Sequence, residues 1–168
     1  MIFIGIDNGL NGGIVALDEN CKFINKWIMP VKKGKRLEYD IPKIVDIFET
    51  FYYTPENVLI ILEQSHVRPI SGKRACFMTG FGYGIMQGII EAIGFKYIIV
   101  SPSRWMKAVL ETKGKKGSID YCLKYYPNED WKRTKRSKKI HDGLTDACCI
   151  ARYGIFIHFS NLLEEQTK

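Results

Sequence analysis

The sequence predicts an α/β domain: a mixed five-stranded sheet flanked by helices. Three observations carry this. Two short apolar runs, Met1-Ile2-Phe3-Ile4-Gly5-Ile6 and Val58-Leu59-Ile60-Ile61-Leu62, read as buried strands, and each ends on a carboxylate, Asp7 and Glu63. Three closely spaced strand patterns come first, and helical patterns alternate with strands afterwards. The chain of 168 residues is 46% apolar and 12% aromatic, enough to build one core and too apolar for a disordered tail.

Residues 2–7 form the first predicted strand. The turn Asn8-Gly9-Leu10-Asn11-Gly12 leads to a second over 12–18, and Asp18-Glu19-Asn20 to a third over 22–29. Such short links suit an antiparallel meander. The polar, basic stretch 30–38 reads as a loop, and Asp40 as the N-cap of a helix reaching Tyr53, with Pro42 in its first turn. A central strand at 58–63 precedes a polar loop over 64–74 and a glycine-bearing helix over 75–93. A strand at 97–100, a helix to Leu110, a helix at 118–125 and a last helix at 142–159 complete the order. This order matches a ribonuclease H-like architecture. There the first and central strands would lie side by side, joining Asp7 to Glu63, with Asp142 and Asp146 closing over that edge. One domain is expected over 1–160, with a C-terminal tail at 161–168.

Charge is unevenly placed. Residues 104–139 hold 12 basic and 4 acidic side chains, and the remainder holds 13 against 14. A basic segment on a near-neutral body is the footprint of a polyanion partner. The five cysteines are odd in number and lack any CxxC pair, which favours thiols in a reducing compartment. There is no secretory n-region and no run of transmembrane length. The expectation is a cytoplasmic protein.

Four like charges at strand ends and a helix start would repel one another unless a cation held them. Mg²⁺ suits such an oxygen set. Two divalent ions about 4 Å apart could grip a scissile phosphate, one activating water and one the leaving oxygen. Asp7 would bridge them, with Glu63, Asp142 and Asp146 completing the site. Blander roles compete: a turn for Asp7, a solvated strand end for Glu63, surface charge for Asp146 and the N-cap of the last helix for Asp142. His141 could shuttle protons or support the fold. Lys113, Lys115, Lys116, Lys132, Arg133, Lys135, Arg136, Lys138 and Lys139 are candidate phosphate contacts, as are Arg68, Lys73 and Arg74 after Glu63. Lys138 or Lys139 lies closest to the acids and could stabilise charge on the phosphate. Phe77, Phe81 and Tyr83 could wedge against unpaired bases, although core is the simpler role for each.

Several segments resemble the RuvC-type Holliday junction resolvases. Gly5-Ile6-Asp7-Asn8-Gly9-Leu10-Asn11-Gly12-Gly13 resembles their first motif and Leu62-Glu63-Gln64 their second. Phe81 to Gly88 and Val100 to Lys107 are similar to the elements that follow. His141-Asp142-Gly143-Leu144-Thr145-Asp146-Ala147 resembles the closing motif of bacteriophage-type members. The similarity spans about residues 1–154 in consistent order. It implies a homodimeric, Mg²⁺-dependent endonuclease (Mn²⁺ substituting) that resolves four-way junctions by paired nicks leaving 5′-phosphates. Other branched DNA would be a further substrate, and the phage-type motifs imply a virus-encoded protein acting in a host cell. Because a histidine replaces one acid in some relatives, His141 and Asp142 both stand as the third ligand. The alternative functions are a non-catalytic junction-binding protein of the same fold and an actin- or sugar-kinase-like nucleotide module.

Overall fold

The computed structural model describes residues 1–52, 54–66, 72–111 and 116–166. Strands β1 (Ile2–Asp7), β2 (Gly13–Asp18) and β3 (Phe23–Ile28) form the antiparallel meander. A small hairpin follows, β4 (Val31–Lys33) with β5 (Leu37–Tyr39), where the sequence reading expected only loop. Helix α1 (Ile41–Glu49) leads through a one-turn 3₁₀ segment to β6 (Val58–Glu63). Helix α2 (Lys73–Ile93), strand β7 (Lys96–Val100), and helices α3 (Pro102–Val109), α4 (Gly117–Tyr125) and α5 (Asp142–Gln166) complete the chain. α5 extends past the expected end at 159, so 161–166 continue the helix. None of the described helices is long and apolar enough to cross a membrane.

The sheet order is β3-β2-β1-β6-β7, with β1–β6 and β6–β7 parallel. The expected neighbours are therefore hydrogen-bonded neighbours. Strand alternation then divides the side chains between two cores. Ile4, Ile6, Val58, Ile60 and Leu62 face α1 and α2 and pack with Ile44, Phe48, Met86 and Ile90. Phe3 and Ile61 face α3, α4 and α5 and pack with Trp105, Cys122, Ala147, Cys148 and Ala151. Asp7 and Glu63 continue the odd-numbered set, so both strands deliver their terminal carboxylates to the α5 face.

α5 sits unusually close to β1. A Cβ at Gly5 would collide with the backbone of Ala147 and Ala151, and one at Gly154 with the side chain of Ile61. At the start of α5, Gly143 forms a parallel bridge with Gly12, and a Cβ there would meet Asn11 O and Gly12 Cα at 2.5 Å. Close approach, more than positive φ, is what these glycines provide.

Two caps differ from expectation. Asp40 stands at the N-cap position of α1 as expected, but its side chain makes no cap hydrogen bond and instead pairs with Lys43 at 3.1 Å and Lys32 at 3.8 Å. At α5 the capping side chain is His141, not Asp142: its Nδ1 accepts the Leu144 N–H at 3.3 Å. The cause is one residue of register, since the N-cap accepts from the residue three positions on. Cys21, Cys122, Cys148 and Cys149 are free thiols, as the sequence suggested.

Candidate active site

β1 ends in Asp7 because the glycine turn lets the chain reverse there: Gly12 N–H bonds Gly9 O at 2.8 Å, and Asp7 Oδ1 accepts the Gly9 N–H at 3.2 Å. The parallel register places the end of β6 beside it. α5, locked to the same turn through Gly143, brings Asp146 over both. Asp7, Asp142 and Asp146 line one cleft of about 450 Å³ together with Asn8, Tyr39, Ser65, Met78 and Thr79.

Burial pushes the Asp7 carboxyl up to about 6; the Gly9 N–H opposes the rise and the charge of Asp146 adds to it. Burial likewise raises Glu63 to about 7, helped by Asp7, while a hydrogen bond from Trp105 resists. Asp146 is raised by burial, with a Ser118 hydrogen bond lowering it and Asp142 raising it. Three carboxylates are therefore close enough to feel one another where water is scarce. Asp142 stands apart, its side chain 57% exposed and its carboxylate 3.5 Å from Lys139 Nζ. Among the described residues no three His, Cys, Asp or Glu side chains are grouped tightly enough to hold a metal ion.

His141 is nearly buried and its pKa is lowered, by burial first and then by Arg133. Its Nδ1 is engaged as an acceptor, so the neutral ring carries its proton on Nε2. A second hollow of about 400 Å³ adjoins the acids, lined by Asn11, Arg133, Ser137, Lys139, His141 and Asp142. It is the inner wall of the basic loop. Lys132, Arg133, Lys135, Arg136, Lys138 and Lys139 are all exposed along that loop, whose ends are tied by a Lys132–Ile140 bridge. Lys73 and Arg74 occupy the first turn of α2, just before the cleft-lining Ala75, and Lys116 is exposed at the start of α4. Arg68, Lys113 and Lys115 lie outside the described residues.

Phe77 and Phe81 are not core. They are 67% and 48% exposed and stack on each other at 5.8 Å, one helical turn apart on α2. Tyr83 is half-buried against the α1–α2 core, as expected.

Sequence reasoning gave no role to Tyr39, Asn8, Ser65 or Trp105. The Tyr39 hydroxyl donates to Asn8 O at 2.8 Å, and burial, with the Asp7 charge, raises its pKa to about 12. Ser65 donates to Asn8 Oδ1 at 3.0 Å, and Trp105 Nε1–H to Glu63 Oε1 at 2.8 Å. The available signal was generic: a buried Tyr or Trp needs a partner for its polar end.

Comparison with solved structures bears on the fold. Thermus thermophilus RuvC in complex with Holliday junction substrate superposes with a TM-score of 0.67 at 13% identity, covering 95% of this chain and 96% of that one. The chain has the RuvC fold. A second Thermus thermophilus RuvC structure gives 0.64 at 15% identity, covering 95% and 97%. The yeast mitochondrial Holliday junction resolvase gives 0.51 at 16%, covering 96% of this chain and 82% of that one. No protein-family model and no curated protein sequence matches the chain.

Proposed function

We propose that this chain is a divalent-metal-dependent DNA endonuclease that resolves four-way junctions, acting in the cytoplasm as a homodimer by paired nicks that leave 5′-phosphate ends. The observation that carries the reading is the gathering of Asp7, Glu63 and Asp146 at one sheet edge, with all three pKa values raised. Burying like charges together is unfavourable unless the site binds something positive. The shared RuvC fold supports a junction as substrate, because one of its solved structures holds a Holliday junction substrate.

The donor chemistry suits a hard cation such as Mg²⁺, or Mn²⁺, because every candidate ligand is a carboxylate oxygen, and the carboxylates would draw closer together around it than they stand here. Asp7, Glu63, Asp146 and Asp142 would hold it, and the exposed Asp142 has the most freedom to turn inward. When bound, the ion would supply Lewis-acid polarisation of the scissile phosphate and a water of lowered pKa. The chain's own residues would do the rest. The fixed β1 and β6 ends hold Asp7 and Glu63 in place. The neutral His141, committed to capping α5 through Nδ1, supports Asp142 as the remaining acid ligand. The basic loop and the start of α2 would grip flanking phosphates without reading bases. On α2, Gly80, Gly84 and Gly88 leave open space for a Cβ beside the exposed Phe77 and Phe81, which supports close approach of a second copy.

The test is cleavage of an end-labelled four-way junction in Mg²⁺ by the native chain and by Asp7→Asn. Symmetric paired nicks that vanish in the variant, with binding retained, are expected. Binding without nicks by the native chain in Mg²⁺ and in Mn²⁺ would leave a non-catalytic junction-binding protein.

A further inference from the structure

Trp105 lies on α3 with 1% of its surface exposed, packed in the core under α5. Its indole N–H donates to Glu63 Oε1 at 2.8 Å. The two residues are neighbours by topology: Glu63 pairs with Val100 on β7, and α3 begins two residues later. An indole can only donate, has two side-chain torsions, and here has both fixed by packing. Such a donor fixes one oxygen of a carboxylate and thereby aims the other.

We propose that Trp105 is a positioning residue for Glu63, fixing Oε1 so that the other oxygen is directed at the cation site shared with Asp7 and Asp146. This rests on the metal-dependent reading of those carboxylates. Outer partners of metal ligands typically change metal affinity about 10–100-fold when removed. A merely structural tryptophan would not.

The experiment follows the tryptophan indole N–H signals of the ¹⁵N-labelled full chain during Mg²⁺ titration without DNA, with calorimetric Mg²⁺ affinity measured in parallel. One signal, assigned to Trp105 by its loss in Trp105→Phe, is expected to shift with Mg²⁺. The Trp131 signal should stay still, because that indole donates to the Tyr126 carbonyl at 3.3 Å. Trp105→Phe should bind Mg²⁺ at least about tenfold more weakly. Asp7-dependent Mg²⁺ binding that leaves the Trp105 signal unmoved, or native affinity in a Trp105→Phe chain that merely melts earlier, would overturn the inference alone. No Mg²⁺ binding by the native chain would overturn the metal-dependent reading and this inference with it. If Trp105→Phe fails to fold, the native signal decides, assigned by elimination with Trp27→Phe and Trp131→Phe.

Discussion

Asp7 and Asp142 line the same cleft, but burial separates them. Asp7 sits at the end of a central strand, its carboxyl pushed up to about 6. Asp142 is 57% exposed beside Lys139. The inner half of the site is set by backbone: strand register, alternation, and glycine contacts too close for a Cβ. The rim is set by long, solvated side chains, Arg133, Lys135, Arg136, Lys138 and Lys139. Inner acids are therefore strained but fixed, whereas rim charges are relaxed and adjustable. That division suits a site that must place a reacting group rigidly while gripping a variable polyanion loosely.

The sharpest way to break the comparison is to neutralise each acid in turn. Asp7→Asn is expected to reduce junction nicking by more than about 100-fold, and Asp142→Asn by about tenfold or less, measured under single-turnover conditions. Equal losses would mean that burial does not rank the ligands.

Proton linkage offers a second measurement. Asp7 rises from 3.8 to about 6 and Glu63 from 4.5 to about 7, so the folded chain holds protons that the unfolded chain releases. Their contribution to stability is complete below about pH 4 and is lost as pH rises through 6 to 7. For Asp7 alone the loss is on the order of 3 kcal/mol at neutral pH. In chelator, denaturant unfolding should show stability falling across that window. Asp7→Asn should flatten the fall, and Mg²⁺ should oppose it.

Glycine substitutions test the backbone half directly. Gly5→Ala drives a methyl into the backbone of α5, and should destabilise by about 1–3 kcal/mol or more and lower nicking with it. Gly84→Ala on the open face of α2 should stabilise the fold by up to about 1 kcal/mol. Sedimentation of the second variant also reports whether a partner copy uses that face.

The smallest effects belong to the rim. Lys135→Ala or Lys138→Ala should move unfolding stability by less than about 0.5 kcal/mol. Each should reduce the slope of log binding constant against log salt by about one if its lysine contacts a phosphate. Unchanged slopes would assign the basic loop to solvent.

Much of this division was legible in the sequence. The apolar runs ending at Asp7 and Glu63, the glycine turn after Asp7, and the four-residue spacing of Asp142 and Asp146 are local patterns, and strand and helix periods turn them into faces. The basic loop was visible as a charge excess confined to 104–139. Other features needed partners distant in sequence. His141 stands as the cap in place of Asp142 because α5 already begins at Asp142. Phe77 and Phe81 looked like core because aromatic residues in a helix usually are, yet only the helix's rotation against the sheet decides which face meets water. The Tyr39–Asn8 and Trp105–Glu63 bonds span 31 and 42 residues, and no local pattern records them. The five-stranded sheet, its acidic strand ends and the basic segment follow from local pattern, because hydrophobic periodicity and turn chemistry act over a few residues. Which acids are buried, which stay exposed, and which neutral side chains hydrogen-bond near them follow from packing, because burial and hydrogen-bond geometry arise when distant segments meet.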